Sequence, residues 1–143
     1  MVCAAACARA RGASARPASA ASPANELYLN PLAAFIEAQN PFRQETRTYP
    51  VDFGSLRQDV IILTLTLPAG YTAELPKPTT LSLPDKGGRY LYSATSPAPG
   101  TVQFVSRLTL DKPIYGAEEY ASLREFYRLA LAKQAEAVVL KKQ

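Results

Sequence analysis

Between residues 59 and 67 the chain alternates two kinds of position. Ile61, Leu63, Leu65 and Leu67 share one parity, and Val60, Ile62, Thr64 and Thr66 share the other. A period of two marks a β-strand, and a face mixing hydroxyl with β-branched side chains marks one half-buried in an antiparallel sheet. Residues 101–110 repeat the signal: Val102, Phe104, Ser106, Leu108 and Leu110 face one way, and Gln103, Val105, Arg107 and Thr109 the other. Residues 89–95 form the other arm of a hairpin, across the breaker-rich loop Ser96-Pro97-Ala98-Pro99-Gly100. Shorter strands are predicted at 71–75 and 79–83, separated by Pro76 and Pro78 and closed by the turn Asp85-Lys86-Gly87-Gly88. Pro50 places an edge strand or bend after an extended segment at 42–49. Short strands at such regular spacing, with turn signals between them, predict an antiparallel β-sandwich of immunoglobulin-like type.

Two stretches read as helix. Asn30-Pro31 supplies an N-cap and a first-turn proline, with Leu32, Phe35 and Ile36 on one face, so a short helix is expected over 31–39. After Pro113 the period lengthens: Tyr120, Leu123, Tyr127 and Leu131 recur at helical spacing, beside Phe126 and Ala130. Gly116 as N-cap, Glu118 and Glu119 in the first turn and Lys133 late complement the helix dipole, so a helix over 117–134 should pack on the sheets. Val138-Val139-Leu140 fits either a continuation of that helix or a short terminal strand.

Composition narrows the chemistry. The 143 residues fit one domain. The net charge of +4 is uneven: residues 1–25 hold Arg9, Arg11 and Arg16 and no acid, whereas residues 26–143 hold 13 basic and 12 acidic residues. Eleven of the first 25 residues are Ala, so residues 1–25 read as a disordered or artefactual tail in preference to a targeting peptide, and not as a signal peptide. Residues 26–143 form the single folded domain. The chain has no His, and its two cysteines, Cys3 and Cys7, both lie in the tail. That excludes a His-based triad or dyad within this chain, and thiolate or Cys/His zinc chemistry in the folded part. The twelve carboxylates are scattered singly except for Glu118-Glu119, and no phosphate-binding loop or calcium loop is present. The expectation is a non-enzyme without cofactor or metal. Interspersed charges argue against nucleic acid, and no apolar run is long enough to span a membrane.

Several strings carry a family resemblance: Leu29-Asn30-Pro31, Asn40-Pro41-Phe42, Arg47 followed by Tyr49-Pro50-Val51-Asp52-Phe53-Gly54, Leu67-Pro68-Ala69-Gly70-Tyr71, Leu75-Pro76-Lys77-Pro78, and Glu119-Tyr120 with Leu123-Arg124 and Phe126. Together they resemble the C-terminal domain, of unknown function, of bacterial transglutaminase-like proteins, over about residues 26–143. In that family the domain follows a papain-like transglutaminase core that carries the nucleophilic Cys and its His and Asp partners. The resemblance therefore implies a non-catalytic accessory module of the periplasm or cell envelope. Its partner would be a transglutaminase-like catalytic domain, or another protein domain. The core is missing here, so the chain reads as a detached piece. Ala117 also departs from the proline expected before the acidic pair.

Three clusters are candidates for interaction. Arg47, Tyr49, Asp52 and Phe53 offer an Arg–Asp pair beside aromatics that could grip a peptide or neighbouring domain, or form a structural corner. On the helix, Tyr120 and Arg124, with Glu119, Tyr127 and Arg128, offer a contact surface or ordinary core packing. Tyr90, Tyr92 and Phe104 across the hairpin offer a platform for an envelope peptide or glycan, provided that they are exposed, or a cross-strand core cluster.

Overall fold

The computed structural model describes residues 9–10, 26–35 and 39–143. Its strands in chain order are β1 (Arg9–Ala10), β2 (Glu26–Leu29), β3 (Val51–Asp52), β4 (Arg57–Thr66), β5 (Tyr71–Glu74), β6 (Thr79–Ser82), β7 (Gly88–Ala98), β8 (Thr101–Leu110), β9 (Ile114–Tyr115) and, after the helix α1 (Tyr120–Gln134), β10 (Val138–Lys142). The chain is mainly β, with antiparallel sheets and one C-terminal helix. A five-stranded sheet has the order β1-β4-β8-β7-β6, a three-stranded sheet the order β2-β10-β5, and β3 pairs with β9. Every pairing is antiparallel except β1 with β4, which is parallel and joins Arg9 to Asp59 and Ala10 to Val60.

The two alternating stretches become neighbours, with β4 lying antiparallel to β8 from Arg57 opposite Leu110 to Thr66 opposite Thr101. The predicted parity holds. Val102, Phe104, Ser106, Leu108 and Leu110 are all buried, while Ile62, Thr64 and Thr66 on the other parity of β4 are exposed. The hairpin arms are longer than expected. β7 runs into the breaker segment through an irregularity between Thr95 and Ala98, leaving Pro99-Gly100 as the turn. Gly100 takes φ +73°, a left-handed conformation that glycine adopts without steric cost.

The C-terminal helix begins with a single 3-10 turn (Ala117–Glu119) and continues as α1. Its buried stripe is Tyr120, Leu123, Phe126, Tyr127, Ala130 and Gln134. A polar residue at the end of this stripe needs a partner, and Gln134 has one. Its Nε2 donates to Ser106 Oγ at 2.9 Å, and that hydroxyl donates to Tyr90 Oη at 3.2 Å. The triad ties the helix C-terminus to β7 and β8 without leaving these groups unsatisfied. Val138-Val139-Leu140 resolves as strand: β10 is the middle of the small sheet, with Val138 and Leu140 buried.

One expected element is absent. The short N-terminal helix over 31–39 is replaced by turns at residues 31–35, and residues 36–38 lie outside the described residues. The Asn30 side chain does accept from Leu32 N–H at 3.2 Å, as a cap would. Its amide, however, donates to Ala135 C=O at 3.1 Å, at the end of α1, and Leu32 is fully buried. A nine-residue helix is marginal on its own, and here tertiary contacts at Asn30 and Leu32 set the path instead. The tail reading of residues 1–25 lies outside the described residues, apart from β1. Among the described residues no helix is long and apolar enough to cross a membrane.

Gly88 sits where β7 meets β8. A Cβ there would lie 2.8 Å from the Thr109 carbonyl oxygen and 3.0 Å from Leu83 Cδ1. We predict that Gly88→Ala lowers unfolding stability by about 1–3 kcal/mol, the usual cost of overpacking against backbone. Urea melts that superimpose on wild type would refute this reading of the contact.

Candidate functional site

The segment from Asn40 to Gly54 has no strand until β3, yet it is fixed. Asn40 Oδ1 accepts from Phe42 N–H at 2.9 Å, closing a local turn around Pro41. The Asn40 amide donates to Arg124 C=O at 3.0 Å, and Arg124 Nε donates back to Phe42 C=O at 3.2 Å. Two residues further on, Tyr120 Oη donates to Gln44 C=O at 2.8 Å. Backbone groups of an irregular segment thus find partners on α1 in place of a sheet ladder.

The Phe42 ring is the apolar counterpart of this clamp. It is buried and meets Tyr127, Tyr120 and Phe53 edge-on, at centroid distances of 5.0, 5.8 and 6.2 Å. Phe53 in turn meets Tyr115 edge-on at 5.8 Å. Edge-to-face geometry suits the aromatic quadrupole, so the cluster gains a little beyond its buried area.

Open clefts flank the segment. One, of about 590 Å³, is lined by Arg43, Arg47, Tyr49 and Tyr120 among others. The second, of about 580 Å³, includes Arg43, Glu45, Arg124, Glu125 and Arg128. Tyr49 is 76% exposed, the most exposed of the large apolar residues among those described. Arg47 is exposed too. Arg128 is held by Glu125, which lowers the Glu125 carboxyl and raises the guanidinium.

The six candidate residues therefore divide. Tyr120, Phe53 and Arg124 hold the segment down, by the ring contacts and hydrogen bonds above. Asp52 forms no ion pair with Arg47. Its Oδ1 accepts from Gly54 N–H at 2.7 Å, and Gly54 has φ +72°, so Asp52 shapes a turn. Arg47 and Tyr49 are exposed and both line the first cleft, whereas Asp52, also exposed, is engaged in its turn. The residues that sequence reasoning missed are Asn40 and Phe42. Asn40-Pro41 follows directly on the expected 31–39 helix, and Asn before Pro-Phe carries the signal for a side-chain-closed turn.

The hairpin aromatics cannot serve as a platform. Tyr90, Tyr92 and Phe104 are 0%, 1% and 0% exposed, so no glycan or peptide can stack on them. Burial pushes the Tyr92 hydroxyl up to about 12, with the nearby Tyr90 and Glu136 acting in the same direction. This closes the hairpin route to a peptide- or glycan-binding module. Among the described residues no group of three or more His, Cys, Asp or Glu side chains is arranged to hold a metal.

At the other end of the helix entry, Lys112 donates to Glu119 Oε1, and Gly116 N–H donates to Glu119 Oε2 at 2.8 Å. Glycine has no side chain to complete a capping box, so Glu119 supplies only the reciprocal half. The hydrogen bond from Lys112, and then that from Gly116, hold the Glu119 carboxyl below its ordinary value; the same pairing holds Lys112 above its own.

Comparisons with known proteins place these features in context. The family model described as a domain of unknown function with a solved structure (DUF3858) matches residues 25–140. A crystal structure of a candidate protease from Parabacteroides distasonis is similar to this chain at 18% identity with a TM-score of 0.57, which speaks to the fold alone. The similarity covers 68% of this chain and 19% of that one, so the chain corresponds to a small part of that protein's length. No curated protein matches.

Two outcomes are expected. Phe42→Ala should cost about 3–5 kcal/mol in a denaturant melt, as for other buried aromatics; a loss below about 1 kcal/mol would show that the ring does not anchor the segment. Because the folded Glu119 value is depressed, its contribution to stability is present above the ordinary 4.5 and disappears as pH falls through the folded value. Thermal melts from pH 6 down to about 2.5 should therefore fall less steeply for Glu119→Gln than for wild type. Parallel curves would exclude this pair as a source of acid sensitivity.

Proposed function

The chain belongs to the DUF3858 family, and from that premise we propose that it is a non-catalytic accessory module that docks on a transglutaminase-like catalytic domain. The five- and three-stranded sheets are read as the two layers of an immunoglobulin-like sandwich, with α1 packed against the larger one. The resemblance to the C-terminal domain of transglutaminase-like proteins supplies the partner class and the expectation of a periplasmic or envelope location.

One observation carries the docking reading. Arg47 and Tyr49 stand exposed beside an open cleft, on a segment that Tyr120 and Arg124 anchor just upstream at Asn40, Phe42 and Gln44. Tyr and Arg are the residue types enriched at interface centres, and anchoring the segment at one end lowers the entropy of ordering it on contact. The module's role is then positional: it offers a firm aromatic and cationic surface and stabilises what sits on it. The chemistry stays with the catalytic domain.

Titration calorimetry of this chain against an isolated transglutaminase-like core tests the reading. Binding is expected, weakened at least about tenfold by Arg47→Ala with Tyr49→Ala, as for a pair of central interface residues. Both side chains are exposed, so the melting curve of the double variant should match wild type. Absence of binding, or binding indifferent to both substitutions, would defeat the proposal.

A further inference from the structure

The charge of the domain is not spread evenly. Residues 26–143 hold 13 basic and 12 acidic residues. The walls of the two clefts nevertheless hold four arginines, Arg43, Arg47, Arg124 and Arg128, against only Glu45 and Glu125. The remainder of the domain is therefore slightly acidic. Arg43 lines both clefts, and the first cleft has no carboxylate on its wall. Glu125 is engaged by Arg128. Among the described residues, Arg43, Arg47 and Arg124 pair with no carboxylate. Arg43 donates to Gln39 Oε1 at 2.5 Å and Arg124 to the Phe42 carbonyl, both neutral acceptors.

The backbone beside these arginines is open as well. Thr46 to Tyr49 belong to no strand or helix, and among the described residues no hydrogen bond takes up their amides or carbonyls. A peptide main chain brings both donors and acceptors to such groups. A nucleic acid brings a dense, continuous row of phosphates, which Glu45 and Glu125 oppose. Residues 1–25 contain three arginines and no acid, so this chain's own N-terminal stretch has the wrong charge to fill the clefts.

We propose that the occupant is an acidic peptide segment of the docking partner, laid across Arg43, with carboxylates meeting Arg43 and Arg47 in the first cleft and Arg124 in the second. The inference rests on the docking reading above and adds the chemistry of what docks. Guanidinium forks match carboxylates through paired hydrogen bonds, which a neutral segment cannot offer. Exposed ion pairs are individually weak, so the segment needs several Asp or Glu residues to engage the arginines together.

The probe is a blocked peptide of alternating Glu and Gly, titrated into the full chain and followed by backbone amide shifts in NMR. Saturable shifts are expected at residues 43–49 and 124–128, with a dissociation constant of about 1 mM at low salt, weakening as salt is raised. The same peptide with Gln for Glu should not bind. Arg43→Glu should weaken binding at least about tenfold, and Arg43→Lys less, because it keeps the charge. Arg43 is exposed, so the melting curves of both variants should match wild type. No shifts up to about 10 mM peptide, equal binding of the Gln peptide, indifference to Arg43→Glu, or tighter binding of an oligothymidylate of equal charge would overturn the proposal. Calorimetry with the transglutaminase-like core separates the two readings. A core that binds wild type and Arg43→Glu equally sinks the acidic segment and leaves docking in place. A core that never binds, beside a Glu peptide that does, sinks docking and leaves the acidic-peptide site.

Discussion

Five alternate side chains of β8, from Val102 to Leu110, must leave water together, and the positions of most other elements follow from this demand. They cannot be covered by the strand's own neighbours, which lie in the same sheet. α1 adds its stripe of Tyr120, Leu123, Phe126, Tyr127, Ala130 and Gln134 to the same buried cluster. Ser106 is the one polar member of the β8 row, and Gln134 is the one polar member of the helix stripe. They meet, together with Tyr90, and this fixes the helix along its axis as well as over the sheet. An all-apolar seam would tolerate sliding; a hydrogen-bonded triad at one level does not.

Once α1 is seated, Tyr120 and Tyr127 of the same stripe, with Arg124, become the support for the irregular segment. Phe42 enters the aromatic cluster beside Tyr120 and Tyr127, and the Asn40–Arg124 exchange closes the join. The exposed pair Arg47 and Tyr49 therefore stands on a surface whose order comes from the core. Irregular segments are commonly held this way, on a scaffold of regular structure.

Much of this was legible in the sequence. The strands β4, β5, β6, β7 and β8 and the helix were visible because period two and helical spacing depend only on which side faces the core, and proline and glycine mark the turns. The expected 31–39 helix does not form because the Asn30 amide is tied to Ala135, 105 positions away, and Leu32 is drawn into the core, which no local pattern records. The ambiguity at Val138-Val139-Leu140 has the same origin: only pairing with β2 and β5 decides it. At the candidate site, residue type pointed to Arg47, Tyr49, Asp52, Phe53, Tyr120 and Arg124 without showing their roles. An exposed tyrosine and a buried one look alike in a sequence, and an aspartate that closes a turn looks like one that pairs with arginine.

The small sheet has a temporal side. Its middle strand, β10, is synthesised after both of its neighbours, and Val138 finds Leu29 across more than a hundred residues of chain. β2 and β5 therefore wait as unpaired strands while the large hairpin and α1 already have local partners available. Closing so long a loop is entropically slow. The small sheet is thus the pairing that costs most to close, and it joins the beginning of the domain to its end.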